Sequence, residues 1–348
     1  MISKKPLVSI LIYNYNYGKY LTECFESAVN QSYENIEIIF SDNSSSDDSW
    51  SIALEYAKRH PEKITITKSR KNYGAAANLK NCSSNIRGKY FLILCSDDKI
   101  HINYLSAAIQ LLESNLDSGL LISHRSIINT ENEVLQEAPF YNASCKIPSP
   151  LQSAVYMMAS VNPSLTQVIY RSSCAKNINE IIEFGSRYHA NRTLDFIISC
   201  ENSIIYLKEA YVFHRQHSEN DSIGATDKLV EVIGPYLLNL DFIEIARRHN
   251  ITEVQERWAP SVEKLSKLSL RYSISALEKD NVRLSKRYFH LALALLPEID
   301  SDPTFKKVED YLKKREKDAR ALEDLISLNS GIGRNFSYAP PQGSTLLI

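Results

Sequence analysis

Short, nearly continuous apolar runs occupy residues 7–12, 36–40, 64–67, 90–94 and 120–123. Runs this short, rich in β-branched residues and bounded by polar clusters, predict buried strands. Between them the period changes to that of a helix. Leu21, Cys24, Phe25, Ala28 and Val29 share one face of a segment at 20–31, and Ile52, Ala53, Tyr56 and Ala57 one face of 50–60, which Pro61 stops. Residues 75–86, after Gly74, and 102–115, with Leu105, Ala108, Leu111 and Leu112 aligned, complete the series. Strands alternating with helices of this length predict a mostly parallel, doubly wound sheet. Residues 126–165 are irregular and hold several prolines, 167–170 and 211–213 read as further strands, and 216–227 as a polar loop. From about Lys228 strand signals give way to helical periods until about Ile326. The spacing of Phe289, Ala292 and Pro297 matches one tetratricopeptide-like unit, and without an array an ordinary helical hairpin is expected. The boundaries expected are an α/β domain at 1–225, an α-helical domain at 226–326 and a disordered tail at 327–348, rich in Ser, Asn, Gly and Pro.

Composition narrows the classes. With 348 residues, 44% hydrophobic and 23% charged, the chain has the balance of a globular protein with a sizeable core. A formal net charge of -1 gives no global field to recruit nucleic acid or anionic lipid. The six cysteines form no CxxC and no zinc-module spacing with histidine, which fits reduced, buried thiols. No run approaches the ~20 apolar residues of a membrane span. The expected location is cytoplasmic, with peripheral contact at the inner membrane face left open.

The strand-like ends carry the chemistry. Residues 90–94 run into Cys95-Ser96-Asp97-Asp98. Two acids at the carboxyl end of an α/β strand sit where such sheets bind ligands, and hard oxygen donors there suit Mg²⁺ or Mn²⁺ on a phosphate ester. The first strand runs into Tyr13-Asn14-Tyr15-Asn16-Tyr17 and the second into Ser41-Asp42-Asn43-Ser44-Ser45-Ser46-Asp47. A strand-end carboxylate such as Asp42 can accept an N–H, and an aromatic such as Tyr15 can stack on a planar ring. An Asx-turn at Asp42 and a helix cap at Asp97-Asp98 are the plain structural alternatives.

Taken together, Val8-Ser9-Ile10-Leu11-Ile12 through Tyr15-Asn16, Ser27-Ala28-Val29-Asn30-Gln31-Ser32-Tyr33, Asn35-Ile36-Glu37-Ile38-Ile39, the Asp42–Asp47 loop, Asn72-x-Gly74, Gly88-x-Tyr90 and Ser96-Asp97-Asp98 resemble the family 2 glycosyltransferases. The resemblance extends to about residue 222 and implies the GT-A fold, a Rossmann-like mixed sheet. It implies an inverting transfer from a nucleotide-sugar, expected to be a UDP-sugar, to a hydroxyl of a glycan, lipid-linked or glycoprotein acceptor. Carried onto this chain, it implies nucleotide binding by Tyr15, Asn16, Asp42, Asn72, Gly74, Asn78, Asp97 and Arg215. Mn²⁺ or Mg²⁺ would be held by Asp98, with Asp97 nearby and His217 of the segment His214-Arg215-Gln216-His217. Asp195, followed by Phe196, matches the family's catalytic base, which deprotonates the acceptor hydroxyl.

This chain departs from the pattern twice. Cys95 stands where relatives often carry an acid, and Leu194 where many carry the first of two acids. Those departures keep open a second reading, a decayed nucleotide-sugar-binding or scaffold protein of the same fold. A sugar-nucleotide pyrophosphorylase would want a Gly-rich basic loop after the first strand, where this chain has Tyr-Asn-Tyr-Asn-Tyr. The helical C-terminal region is the expected surface for self-association or partner contact.

Overall fold

The computed structural model describes residues 5–135, 137–158, 163–175, 190–218, 226–314, 318–329 and 336–347. These divide into two compact units, one within Met1–Ser153, Val161–Ser218 and Phe336–Ile348, the other within Ala154–Ser160 and Glu219–Asn335. The first opens with β1 (Val8–Asn14), α1 (Gly18–Val29), β2 (Ile36–Asp42), α2 (Ser49–Arg59), β3 (Ile64–Lys68), α3 (Ala75–Ser83) and β4 (Tyr90–Ile93). It continues with β5 (Lys99–Ile100), α4 (Tyr104–Ser114), β6 (Ser118–Ile128), β7 (Val134–Leu135), β8 (Cys145–Ile147) and α5 (Leu151–Met157), which runs on past the unit boundary. Next come β9 (Val168–Arg171), α6 (Ala190–Glu201) and β10 (Ser203–Arg215).

Strand order is β11-β8-β10-β6-β9-β4-β1-β2-β3, where β11 (Thr345–Leu346) comes from the chain's end. β3, β2, β1 and β4 run parallel to one another; β9 runs antiparallel to both β4 and β6. β6 and β10 therefore point the same way as β4, and the carboxyl ends of β1, β2, β4, β6 and β10 share one rim. The apolar runs become central strands because such strands are covered on both faces. Val8, Ile10 and Ile12 of β1 and Leu92 of β4 are buried against Leu21 and Phe25 of α1. The buried exceptions are tied off: Ser9 Oγ donates to Glu37 (2.6 Å), and Gly88 N donates to Ser9 Oγ (2.9 Å).

Three features differ from expectation. β6 and β10 are long, 11 and 13 residues, where the pattern marked only 120–123 and 211–213. Exposed Lys208 and Glu209 interrupt the apolar run of β10 at a register shift, which hides one strand as two fragments. The end of the chain, expected as a disordered tail, contributes structure: a helix over Ala319–Asn329 runs into it, and Thr345–Leu346 pair with Cys145 and Lys146. Tyr338 N donates to Phe140 O, and Asn142 N to Tyr338 O, both at 2.8 Å. The edge strand β8 offers open backbone groups that this polar segment satisfies, an interaction composition does not register.

The second unit holds α7 (Val230–Arg248), α8 (Thr252–Glu256), α9 (Trp258–Glu278), α10 (Val282–Leu295), α11 (Pro303–Lys313) and α12 (Ala319–Asn329). Small hydroxyls let α9 and α10 pack closely. Ser266, Ser269 and Ser273 are buried and donate to the carbonyls of Ala292, Tyr288 and Ser285. Among the described residues no helix is long and apolar enough to cross a membrane.

Candidate active site

The loops after β1 and β2 form one knot. Asp42, the last residue of β2, is fully buried; its carboxylate accepts from Ser45 Oγ (2.5 Å), Ser45 N (3.0 Å) and Asn14 Nδ2 (3.3 Å). Lys68 Nζ stands 3.9 Å away. Ser44 takes a left-handed conformation (φ 66°) so that the chain can fold back over Asp42, and Asn16 does the same in the facing loop (φ 58°). Asn16 N donates to Ser45 Oγ (2.9 Å), and Asn16 Oδ1 accepts from Ser46 N (2.8 Å). Asp47 binds both helix starts, accepting from Gly18 N (2.8 Å) and Ser49 N (3.1 Å). Tyr15 stands exposed at this rim.

The 72–78 segment is stitched to the same knot. Asn72 Oδ1 accepts from Asn43 Nδ2 (2.7 Å) and Gly74 N (2.8 Å). Gly74, at φ 91°, has open space where a Cβ would be, so its need for glycine is conformational. Asn78 is buried, donates to Asn14 O (3.0 Å), and keeps an Oδ1 without a partner among the described residues.

The two acids after β4 divide the work in the reverse of the expected order. Asp98 is fully buried and saturated: it accepts from Thr166 Oγ1 (2.6 Å) and Arg215 N (3.0 Å), and pairs with His214 Nδ1 (3.2 Å). Burial opposes its ionisation, but these donors together hold it below the usual carboxylate range. Asp97 keeps 12% of its side chain exposed, pairs with His217 Nε2 at 3.2 Å, and is pushed up by burial and by the Asp98 charge. Of the two acids, Asp97 is the one with a partly exposed carboxylate, and it stands beside His217. Cys95 lies in the same group, with Asp97 and Asp98 donor atoms within 4.8 Å. Burial and both carboxylates raise its thiol well above the usual range, so it stays protonated and a poor ligand for a hard cation. Two donors bound side by side at ~2.1 Å in an octahedral shell are about 3.0 Å apart, close to the Asp97–His217 spacing; the carboxylate suits Mn²⁺ or Mg²⁺, and the imidazole is the softer donor of the two.

Arg215, expected on the nucleotide, is instead fully buried. Nε donates to Asp97 O (2.9 Å), Nη1 to Asn129 O (3.0 Å), and Nη2 to Asn132 Oδ1 (3.0 Å) and Glu23 (3.2 Å). It braces the metal loop against β6 and α1 from inside and offers no face to a diphosphate.

Asp195 is the largest correction. It is fully buried within α6, and Oδ1 accepts from Tyr170 OH (2.7 Å). Tyr170 pairs with Phe91 in the β4–β9 register and stacks on it at 4.9 Å, whereas Thr166 is the residue beside Cys95 and Asp98. Thr166 lies in a 3-10 turn, Leu165–Gln167, that leads into β9, and Tyr170 is the third residue of that strand. Asp195 is thus enclosed and held by a mid-strand tyrosine, the geometry of a buried structural acid. Burial pushes its pKa up to about 7. α6 ends at Glu201 where β10 begins, so the start of the helix, not its middle, lies toward the rim.

Three residues are tied into the site without having been assigned a role from sequence: Asn14, Asn43 and Thr166. Asn14 and Asn43 lie inside the loop motifs, and their polarity at strand ends was the available signal. Thr166 comes from an irregular stretch and is recognisable only from the fold.

Comparison with known proteins agrees with this architecture. The family model described as Glycosyl transferase family 2 matches residues 9–157. An uncharacterized glycosyltransferase of Rickettsia prowazekii (strain Madrid E) is 27% identical over 234 residues, covering 65% of this chain and 69% of the relative. Of other curated glycosyltransferases that match, the chain spans only 21%, 44% and 38% of the length. Staphylococcus aureus TarS 1-349 in complex with UDP-GlcNAc superposes with a TM-score of 0.56 at 18% identity, over 92% of this chain and 90% of that one. The mannosyltransferase PcManGT from Pyrobaculum calidifontis, in complex with GDP-Man and Mn²⁺, gives 0.53 at 12% identity, over 94% and 88%. At such identities the two structures speak for the GT-A fold alone.

Proposed function

We propose that the chain, which the Glycosyl transferase family 2 model matches over residues 9–157, belongs to that family and moves a sugar from a UDP-sugar to an acceptor hydroxyl with inversion, in a divalent-metal-dependent reaction. The carrying observation is the Asp97–His217 pair at the end of β4, on the same rim as the Asn14–Asp42–Ser45 knot after β1 and β2. Asp97 and His217 would hold Mn²⁺ or Mg²⁺. A cation bound there neutralises charge building on the departing diphosphate. Tyr15 offers the base a ring, Asp42 a remaining lone pair on Oδ2 for N3–H, and Asn72 and Asn78 amides for the nucleoside. The donor bound to TarS, UDP-GlcNAc, is a first candidate. The acceptor is proposed to be a glycan or a lipid-linked or protein-linked glycan. Residues 226–326 are proposed as a separate helical domain.

The attacking hydroxyl must lose its proton to a base; with Asp195 enclosed and bonded to Tyr170, we read it as a structural acid and assign the base to no residue. This favours keeping a second reading, a nucleotide-sugar-binding protein without turnover. Calorimetric titration with UDP and with GDP, each with and without Mn²⁺, followed by UDP release from a UDP-sugar panel, tests both. The proposal expects Mn²⁺-dependent preference for UDP and acceptor-dependent release; equal GDP binding or indifference to Mn²⁺ refutes it. Tight UDP-sugar binding without release selects the second reading.

A further inference from the structure

Arg215 ends β10, and Gln216 N makes one further bond, to Ile128 O (2.8 Å). His217 therefore hangs beyond the sheet, yet only 2% of its side chain is exposed. Two rings from the start of α1 surround it. Tyr20 lies 4.7 Å from the imidazole with planes tilted by 32°, and Tyr17 meets it edge-on at 5.8 Å. Tyr20 also meets the Tyr17 ring at 6.5 Å, and two cations approach it: the Arg215 guanidinium stands 4.9 Å from its ring and Lys19 Nζ 5.1 Å. Tyr20 is itself 4% exposed, in the first turn of α1. One rigid ring thus presses on both basic residues of the Arg215-x-His217 segment, each of which also bonds Asp97, Arg215 Nε at its backbone O and His217 Nε2 at Oδ2.

We propose that Tyr20 is a positioning residue: it holds His217 against Asp97, so that the two donors stand ready for a divalent cation. A histidine at a chain segment without sheet pairing would otherwise lose side-chain and backbone freedom each time a cation binds, and a fixed ring removes that cost beforehand. The inference rests on the proposed metal role of Asp97 and His217, and the experiment separates the two.

Mn²⁺ affinity of the full-length protein is measured by the electron paramagnetic resonance of free Mn²⁺, with melting followed in parallel. Tyr20→Leu and Tyr20→Met, which fill space without a ring, are expected to weaken Mn²⁺ about tenfold or more, the range seen when supports of a ligand are removed. Melting should stay near that of the parent. Tyr20→Phe, which keeps the ring, is expected within about twofold of the parent. Parent-like affinity in a folded Tyr20→Leu or Tyr20→Met variant overturns the assignment. So does equal damage by Tyr20→Phe, and so does loss of the fold in both ringless variants, which would make Tyr20 a core residue alone. Asp97→Asn and His217→Ala form the other arm: if neither weakens Mn²⁺, the metal reading of the pair falls, whatever Tyr20 does.

Discussion

Replacing Asp195 with asparagine separates a catalytic base from a buried structural acid. Its pKa stands at about 7 in the folded protein because burial penalises the carboxylate, against ~3.9 in an unfolded chain. Below pH ~4 both states hold the proton and the group contributes nothing to pH dependence. Between pH ~4 and ~7 the unfolded chain releases the proton and the folded one keeps it, so stability falls by about 1.4 kcal/mol per pH unit and then levels off. Three units of difference correspond to about 4 kcal/mol, an upper bound. Asparagine keeps the acceptor for Tyr170 OH. Its amide replaces an oxygen, Oδ2, that has no partner among the described residues, so little is lost at acid pH. Asp195→Asn should therefore match the parent near pH 4 and exceed it by up to about 4 kcal/mol at pH 8, or on the order of 10 °C in melting temperature for a unit of this size. Trp50 and Trp258 lie in different units, so urea melts read by Trp50 fluorescence in a Trp258→Phe background follow the first unit alone. Transfer activity, once a donor is found, should stay within about tenfold of the parent, since removing a true base costs about 10²–10⁴. A loss of that size, with no pH-dependent gain in stability, would refute the structural assignment.

Further outcomes follow from the same geometry. Asp98→Asn should lower stability by about 2–4 kcal/mol in denaturant melts, because Thr166, His214 and Arg215 N all converge on that buried carboxylate. Arg215→Ala should cost about 3–5 kcal/mol and act on folding more than on UDP affinity, measured by calorimetry, since its guanidinium is spent on Asp97, Asn129, Asn132 and Glu23. Ser44→Gly should raise the melting temperature slightly, by up to about 1 kcal/mol of stability, by relieving φ 66°. Deleting 336–348 should expose the outer edge of β8 and remove hydrogen-exchange protection from the β8 amides that face Thr345–Leu347, while those that face β10 stay protected.

The parallel half of the sheet was legible because its physics is local. A strand covered on both faces must be apolar throughout, and the helices between must show one apolar stripe, so residues 7–115 announce themselves. The other half was not, because its strands take partners far off in sequence. β8 is three residues long and is held by β10 and by the chain's end. β10 reads as two fragments because Lys208 and Glu209 interrupt it. Nothing in a window of ten residues encodes those pairings.

The site shows the same division with finer resolution. Residue types at strand ends located the rim, since polar side chains there have few purely structural uses in company. Their individual roles depend on which carbonyl or hydroxyl lies behind each one. Asp97 and Asp98 are adjacent and identical in type, but their surroundings shift them in opposite directions: Thr166, His214 and Arg215 N converge on Asp98 and lower it, and the Asp98 charge, after burial, helps raise Asp97 beside it. A cation shared by Asp97 and His217 would oppose the second effect by favouring the ionised Asp97. Through its charge the saturated acid would then act on cation binding by the exposed one. If that coupling holds, Asp98→Asn should alter Mn²⁺ affinity even though Asp98 touches no ligand, whereas Asp98→Glu, which keeps the charge, should preserve most of it wherever the fold survives. Equal Mn²⁺ affinity in the folded Asn variant and the parent would show that the two carboxylates do not communicate.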